Sequence, residues 1–235
     1  MTVAPEAGSE RMRRVINKNL TEPEILRAAD LLVGAGVRSL KLYFMVGLPT
    51  ETMEDVDAIV ALTKKIHERF CGKRPKVGGI TLSVNAFVPK PWTPFQWEPM
   101  EDLSSLRKKM VRLKKMLGPL SRMTVDTESP REAYLQTLLS RGDRRVGQFL
   151  TDVHKLNGDW WKTVQQWRTR SQEEGCVAGS DFYVHRRYES DELLPWDFVD
   201  HGVDKSYLWV EWRKARLERE TQPCDVTTCH NCAAC

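Results

Sequence analysis

The chain has 235 residues, of which 41% are hydrophobic and 29% charged, and carries a net charge of +4. That length suffices for one large domain or two small ones with a buried core. No apolar run approaches the roughly 18 to 20 residues of a membrane helix, and Met1–Ser9 is not a signal peptide, so the expected location is cytoplasmic, with no membrane partner.

Thr2-Val3-Ala4-Pro5 reads as the end of a strand, followed by the small-residue turn Pro5-Glu-Ala-Gly-Ser9. Thr21-Glu-Pro-Glu24 is a capping box, and behind it Ile25, Leu26, Ala28, Ala29, Leu32 and Val33 recur at helical spacing until Gly34 and Gly36. Ser39–Gly47 is a near-continuous apolar run, which predicts a parallel strand buried on both faces. A second helix opens at Thr52 with Asp55 three residues on, and carries Val56, Ile59, Val60, Leu62 and Ile66. Gly79–Val88 predicts a second buried strand, and Glu101–Leu117 a third amphipathic helix. The alternation calls for a parallel sheet with right-handed crossovers. A strand at the very N-terminus and an open sheet edge predict further sequence upstream.

Beyond Gly118-Pro119, Arg122–Asp126 predicts one more short strand, and helices are expected over 130–140, 144–156, 159–173 and 204–219. Trp160, Trp161, Trp167, Trp196, Trp209 and Trp212 fall here at spacings that suit a core. The expected fold class is α/β, a partial parallel β/α barrel followed by an all-α appendage, divided as 1–118, 119–220 and a cysteine-rich tail at 221–235. The basic runs Arg107–Lys115 and Arg141–Arg145 read either as solvated helix faces or as a nucleic-acid surface.

Three predicted strand ends, at Pro5–Ser9, Gly47–Thr52 and Asn85–Pro94, would converge on the carboxyl edge of the sheet, where parallel α/β proteins bind ligands. Gly47 would admit a ligand close to the backbone, and the amides of the following helix would face an anion. Pro89, Pro91, Pro94 and Pro99, with Trp92 and Phe95, suggest a stiff lid over that edge.

The segments APEAGSERMRRVINKN, YFMVGLPTET and SVNAFVPKPWTPFQW together resemble the later barrel strands of radical S-adenosylmethionine (SAM) proteins, and RGDRRVG and LPWDFVDHGVDKSYLWVEW resemble the C-terminal region of a group that often carries an upstream cobalamin-binding domain. The resemblance implies half of a radical SAM β/α barrel, with Glu6 and Ser9 facing the ribose or amino-acid portion of SAM. It also implies Lys18 pairing with the SAM carboxylate, Val46 and Gly47 near the adenine, and the Asn85–Val88 backbone, Phe87 included, along its edge. The family's [4Fe–4S] cluster is held by a CxxxCxxC loop, and no such triplet occurs here; Cys71 and Cys176 are isolated. The expectation is a fragment of an enzyme of 5′-deoxyadenosyl-radical chemistry on an unknown substrate, inactive without the missing N-terminal half of the barrel or a complementing chain. An RNA-modifying methylthiotransferase or methyltransferase fragment and a non-catalytic SAM-fold scaffold are the alternatives.

Cys224, Cys229, Cys232 and Cys235 place four thiols in the last twelve residues. Soft thiolates at such spacing suit one Zn²⁺ or an auxiliary iron–sulfur cluster, and spacing alone does not choose between them. His230 sits between the expected ligands as a bystander.

Overall fold

The computed structural model describes residues 1–72, 78–173, 179–200, 202–225, 227, 229 and 232. The chain runs β1 (Thr2–Glu6), α1 (Glu10–Val15), α2 (Glu22–Gly34), β2 (Leu40–Val46), α3 (Met53–Gly72), β3 (Ile80–Ala86), α4 (Leu103–Leu117) and β4 (Met123–Thr127). The four strands form one sheet in the order β1-β2-β3-β4, and every neighbouring pair is parallel. Each strand therefore lies beside its predecessor, and every crossover steps in the same direction. With right-handed crossovers, that stepping deposits all the connecting helices on one face of the sheet.

Burial follows from that winding. In β2, Leu40, Leu42, Phe44 and Val46 are buried while Lys41, Tyr43 and Met45 are half-buried. In β3, Ile80, Leu82, Val84 and Ala86 are buried, but Thr81 and Ser83 are half-buried and Asn85 is exposed. The expectation of strands buried on both faces is therefore corrected: one face packs on helices and the other is open. The apolar residues of α3, among them Val56, Ile59, Leu62 and Ile66, are buried, as are Leu106, Met110 and Leu113 of α4.

Two local devices build the first turn. Thr21 and Glu24 form the expected reciprocal capping box on α2. Arg13, almost fully buried, donates to the carbonyls of Leu20 (2.6 Å), Ala7 (3.0 Å) and Gly8 (2.9 Å), and so ties the β1–α1 turn to the start of α2. Pro5 sits where the β1–β2 register shifts between Val3 and Glu6, a position that tolerates a missing backbone donor.

The chain divides into two compact units: 1–87 with 104–128 and 213–222, and 88–103 with 129–212 and 223–235. The expected boundaries at 118 and 220 differ from this division. β4 lies past residue 118 yet pairs with β3 through Ile80↔Met123 to Val84↔Thr127, because an unpaired β3 edge gains hydrogen bonds from it. The second unit holds α5 (Pro130–Arg141), α6 (Val146–Lys155), α7 (Trp160–Glu173) and α8 (Ser180–His185), and α9 spans Lys205–Arg216. Helix α8 carried no sequence expectation, since its six residues are too few for a periodic signal.

The proline-rich aromatic loop does not form a free lid. Trp97 is fully buried with Tyr188, Leu194, Trp196 and Leu208, and Trp92 packs against the same cluster. Gln96 fixes it by accepting from the Trp92 backbone (3.0 Å) and the Trp196 indole (2.7 Å). Large aromatic surface drives this loop inward. Of the tryptophans expected in a core, Trp167 and Trp196 are buried, whereas Trp160 and Trp161 are half-buried and Trp209 and Trp212, stacked at 4.3 Å, pack half-buried against this cluster.

Gly8 sets the approach of the first turn to α3: a Cβ there would lie 2.1 Å from the Ile59 nitrogen. A Gly8→Ala variant is expected to lower stability by about 1–3 kcal/mol, measured as a reduced urea midpoint with an unchanged slope.

Candidate functional site

The carboxyl ends of the strands gather on one edge of the sheet. Met45 is in register with Asn85 and Val46 with Ala86, and the Phe87 N–H continues the ladder to the Val46 carbonyl at 2.8 Å. Glu6 closes β1 with φ of +66°, and Gly47 follows β2 with φ of +83°. Glu6, Gly47, Asn85 and Phe87 thus share this edge, as the sequence predicts, whereas Val88 begins the second unit.

The groups on this edge fall into two sets. Glu6 and Lys18 form an ion pair of 3.5 Å, each side chain part-exposed, and Asn85 is exposed on the open face. Ser9, Gly47 and Val46 are committed to structure. The Ser9 hydroxyl caps α1 by accepting the Met12 N–H (3.1 Å) and donates to Asp55 (2.6 Å). The Gly47 N–H donates to Glu51 (2.8 Å). The Val46 side chain is fully buried on the helix-covered face.

Sequence reasoning missed the charges that hold this edge. Glu51 and Lys109 pair at 2.7 Å with both side chains almost fully buried, and the same Glu51 oxygen receives the Gly47 amide. The Glu51 of GLPTE and the Lys109 of α4 are 58 residues apart, so only the fold joins them. Asp55 accepts from the Thr52 N–H (2.8 Å) and hydroxyl (2.9 Å), from Ser9 and from Arg11, which also donates to the Thr50 carbonyl (3.0 Å) and pairs with Glu218 (3.0 Å). The start of α3 therefore has its own carboxylate, and its amides do not all await an external anion as expected. Burial pushes the Asp55 carboxyl up, but the hydrogen bonds from Arg11, Ser9 and Thr52 outweigh it and hold the group below its ordinary value.

The basic runs are partly internal. Lys109 is buried against Glu51, Arg112 pairs with Asp57, Arg145 with Asp143, and Arg141 is fully buried. Lys109 and Arg141 are thus part of the interior, whereas Arg112 and Arg145 form surface ion pairs.

At the tail, Cys224 is exposed and Cys229 and Cys232 are half-buried. The Cys229 N–H donates to the Asp225 carbonyl (2.8 Å), and the Asp204 N–H to the Cys232 carbonyl (2.9 Å). Burial, then the Glu211 charge and the thiols of Cys232, Cys229 and Cys224, raise the Tyr207 phenol, so all three sulfurs lie within electrostatic reach of α9. Among the described residues, no group of three or more His, Cys, Asp or Glu is gathered to hold a metal ion. Cys235 and His230, like Cys176, lie outside the described residues. Cys71 is buried at the end of α3, and desolvation raises its thiol, as suits a small apolar residue.

No family model matches the sequence, and no solved structure matches it. Over 150 residues the chain is 41% identical to an uncharacterised protein of Methanocaldococcus jannaschii, a match covering 64% of this chain and 32% of that protein. The match thus spans about a third of that relative's length. Among the described residues no helix is long and apolar enough to cross a membrane.

Two outcomes follow from the charges at the edge. A depressed carboxyl stabilises the fold fully above its unfolded value of about 3.9, and this contribution disappears as pH falls through the folded value. The gap in denaturant midpoint between the native chain and Asp55→Asn is therefore expected to be wide at neutral pH and to close in acid. Lys109→Met strands the Glu51 charge and is expected to cost about 3–5 kcal/mol, with Glu51→Gln added to it restoring part of the loss.

Proposed function

We propose that this chain is part of a longer radical SAM enzyme, and that it supplies a share of the SAM-binding edge of a β/α barrel. The observation that carries the reading is the sheet itself. Parallel strands wind in one direction with one face covered and one open, and the turns bearing Glu6, Gly47 and Asn85 emerge together at the carboxyl edge. Singly wound strands of this kind are the repeating part of a β/α barrel, and ligands bind at that edge. The partial match to a much longer relative agrees with a chain that acts within a larger protein.

The residues of the edge divide their tasks. Lys18 receives the methionyl carboxylate, replacing its solvation by a charge-assisted hydrogen bond. Glu6, already 3.5 Å from Lys18, keeps that ammonium oriented and accepts from the polar part of the ligand. Asn85 offers an exposed amide to the nucleoside. Gly47, lacking a side chain and held by Glu51, permits close approach without donating its amide. Bound SAM supplies the carbon-radical chemistry once reduced by a cluster whose CxxxCxxC ligands this chain does not carry. The open position on this reading belongs to another segment or chain.

Equilibrium dialysis with radiolabelled SAM tests the assignment. Saturable binding is expected, weakened tenfold or more in Lys18→Ala, since a hydrogen bond to a charged group contributes roughly 1.5–3 kcal/mol. Absence of binding, or equal binding by Lys18→Ala, overturns it.

A further inference from the structure

The open face of the sheet has a composition that a packed interior would not tolerate. Parallel sheets are ordinarily apolar on both faces, and barrel interiors are filled by branched aliphatic side chains. Here the register lines up Lys41, Thr81 and Thr124 in one row, Tyr43, Ser83 and Asp126 in the next, and Met45 beside Asn85 in the third. These residues are all half-buried or exposed, and they sit mid-strand rather than in loops.

The middle row has a shape. Tyr43 and Asp126 stand on β2 and β4, two strand spacings or about 10 Å apart, and the residue between them is the short Ser83. A notch results, with an aromatic wall on one side and a carboxylate on the other. Lys41, two residues before Tyr43 on the same face, places its ammonium 4.8 Å from the Tyr43 ring centroid. A hydrogen bond with Tyr43 comes first, and the charge of Asp126 adds to it, in holding the Lys41 ammonium above its ordinary value. One cation and one anion therefore flank a notch lined by hydroxyls.

We propose that this notch binds a small zwitterionic substrate, with Lys41 receiving its carboxylate, Asp126 its ammonium, and Tyr43 and Ser83 lining the stem between them. Charge complementarity selects the class: a purely anionic ligand would meet Asp126, and a purely cationic one Lys41. The substrate role rests on the reading of the sheet as part of a SAM enzyme, while the notch itself is defined by register and charge.

The test uses the full chain with glycine, 4-aminobutyrate and 6-aminohexanoate, each also in N-acetylated and carboxamide form, followed by saturation-transfer NMR titration. At least one free zwitterion is expected to bind, with both blocked forms at least tenfold weaker. In Lys41→Met the free acid and its carboxamide are expected to bind alike, and in Asp126→Asn the free amine and its N-acetyl form alike. Binding by none of the probes overturns the proposal. So do variants that shift the thermal midpoint but leave probe affinity unchanged, which would make Lys41 and Asp126 a sheet-stabilising pair only. SAM dialysis on the same variants separates the two readings. Lys41→Met and Asp126→Asn are expected to keep SAM binding, and Lys18→Ala to keep zwitterion binding, so loss of one activity leaves the other assignment standing.

Discussion

The direction of winding governs the rest of this molecule. Because β1, β2, β3 and β4 are laid down side by side in chain order and all run parallel, right-handed connections place the helices on one side only. A reversal of strand order would have put helices on both faces and turned the open face into core, as in doubly wound sheets. Parallel pairing itself sends every strand-to-helix turn out at one edge. The polar face follows from the winding and the turn-bearing edge from the parallel pairing, and they meet at Met45 and Asn85, the last row of the open face.

Buried charge is the second organising element, and it works through accounted hydrogen bonds rather than through bulk attraction. Arg13 serves three carbonyls of the first turn. In the second unit Arg141 does the same for α8: its guanidinium donates to the carbonyls of Tyr183 (2.5 Å), Val184 (3.2 Å) and Arg186 (2.8 Å) and lies 4.0 Å over the Tyr188 ring. The last carbonyls of a helix have no partner within it, and a short helix such as α8 has few other bonds to spare. Burial lowers the Arg141 guanidinium to about 10, which leaves it charged at neutral pH. A cation so placed is a bracket for backbone, and its sequence neighbourhood, Arg-Gly-Asp-Arg-Arg, gives no hint of it.

Much of the fold was legible because helices and strands here announce themselves by period and cap. The Thr21–Glu24 box, the Thr52–Asp55 start of α3 and the runs over β2 and β3 each formed as expected. The face assignment failed for an instructive reason. Tyr43 and Met45 count as apolar in a run, so Leu40–Val46 reads as uniformly hydrophobic, whereas the structure alternates with period two. Lys41 was the discordant residue, and it marked the open face. Glu51–Lys109 and Arg11–Asp55 were illegible because their partners are 58 and 44 residues apart and carry no pattern that pairs them. At the tail, thiol spacing is a one-dimensional signal that does not say where the sulfurs lie in the fold, and Cys235 is outside the described residues.

A motif preserves spacing, but spacing does not say whether a residue holds a ligand or holds the turn that would hold it. On this edge hydrogen-bond accounting makes the distinction. Ser9 has its proton on Asp55 and a lone pair on the Met12 amide, and Gly47 has its amide on Glu51, so both are already occupied within the fold. Glu6 and Lys18 meet only at 3.5 Å with each side chain open to solvent, and Asn85 is exposed. Such groups lose little by exchanging a weak, hydrated contact for a stronger one, because surface ion pairs contribute little net stability. Glu51 and Lys109 are paired with both side chains almost fully buried, and the same Glu51 oxygen holds the Gly47 turn by its amide. The edge thus divides between a buried pair that holds the Gly47 turn and a part-exposed pair at Glu6 and Lys18.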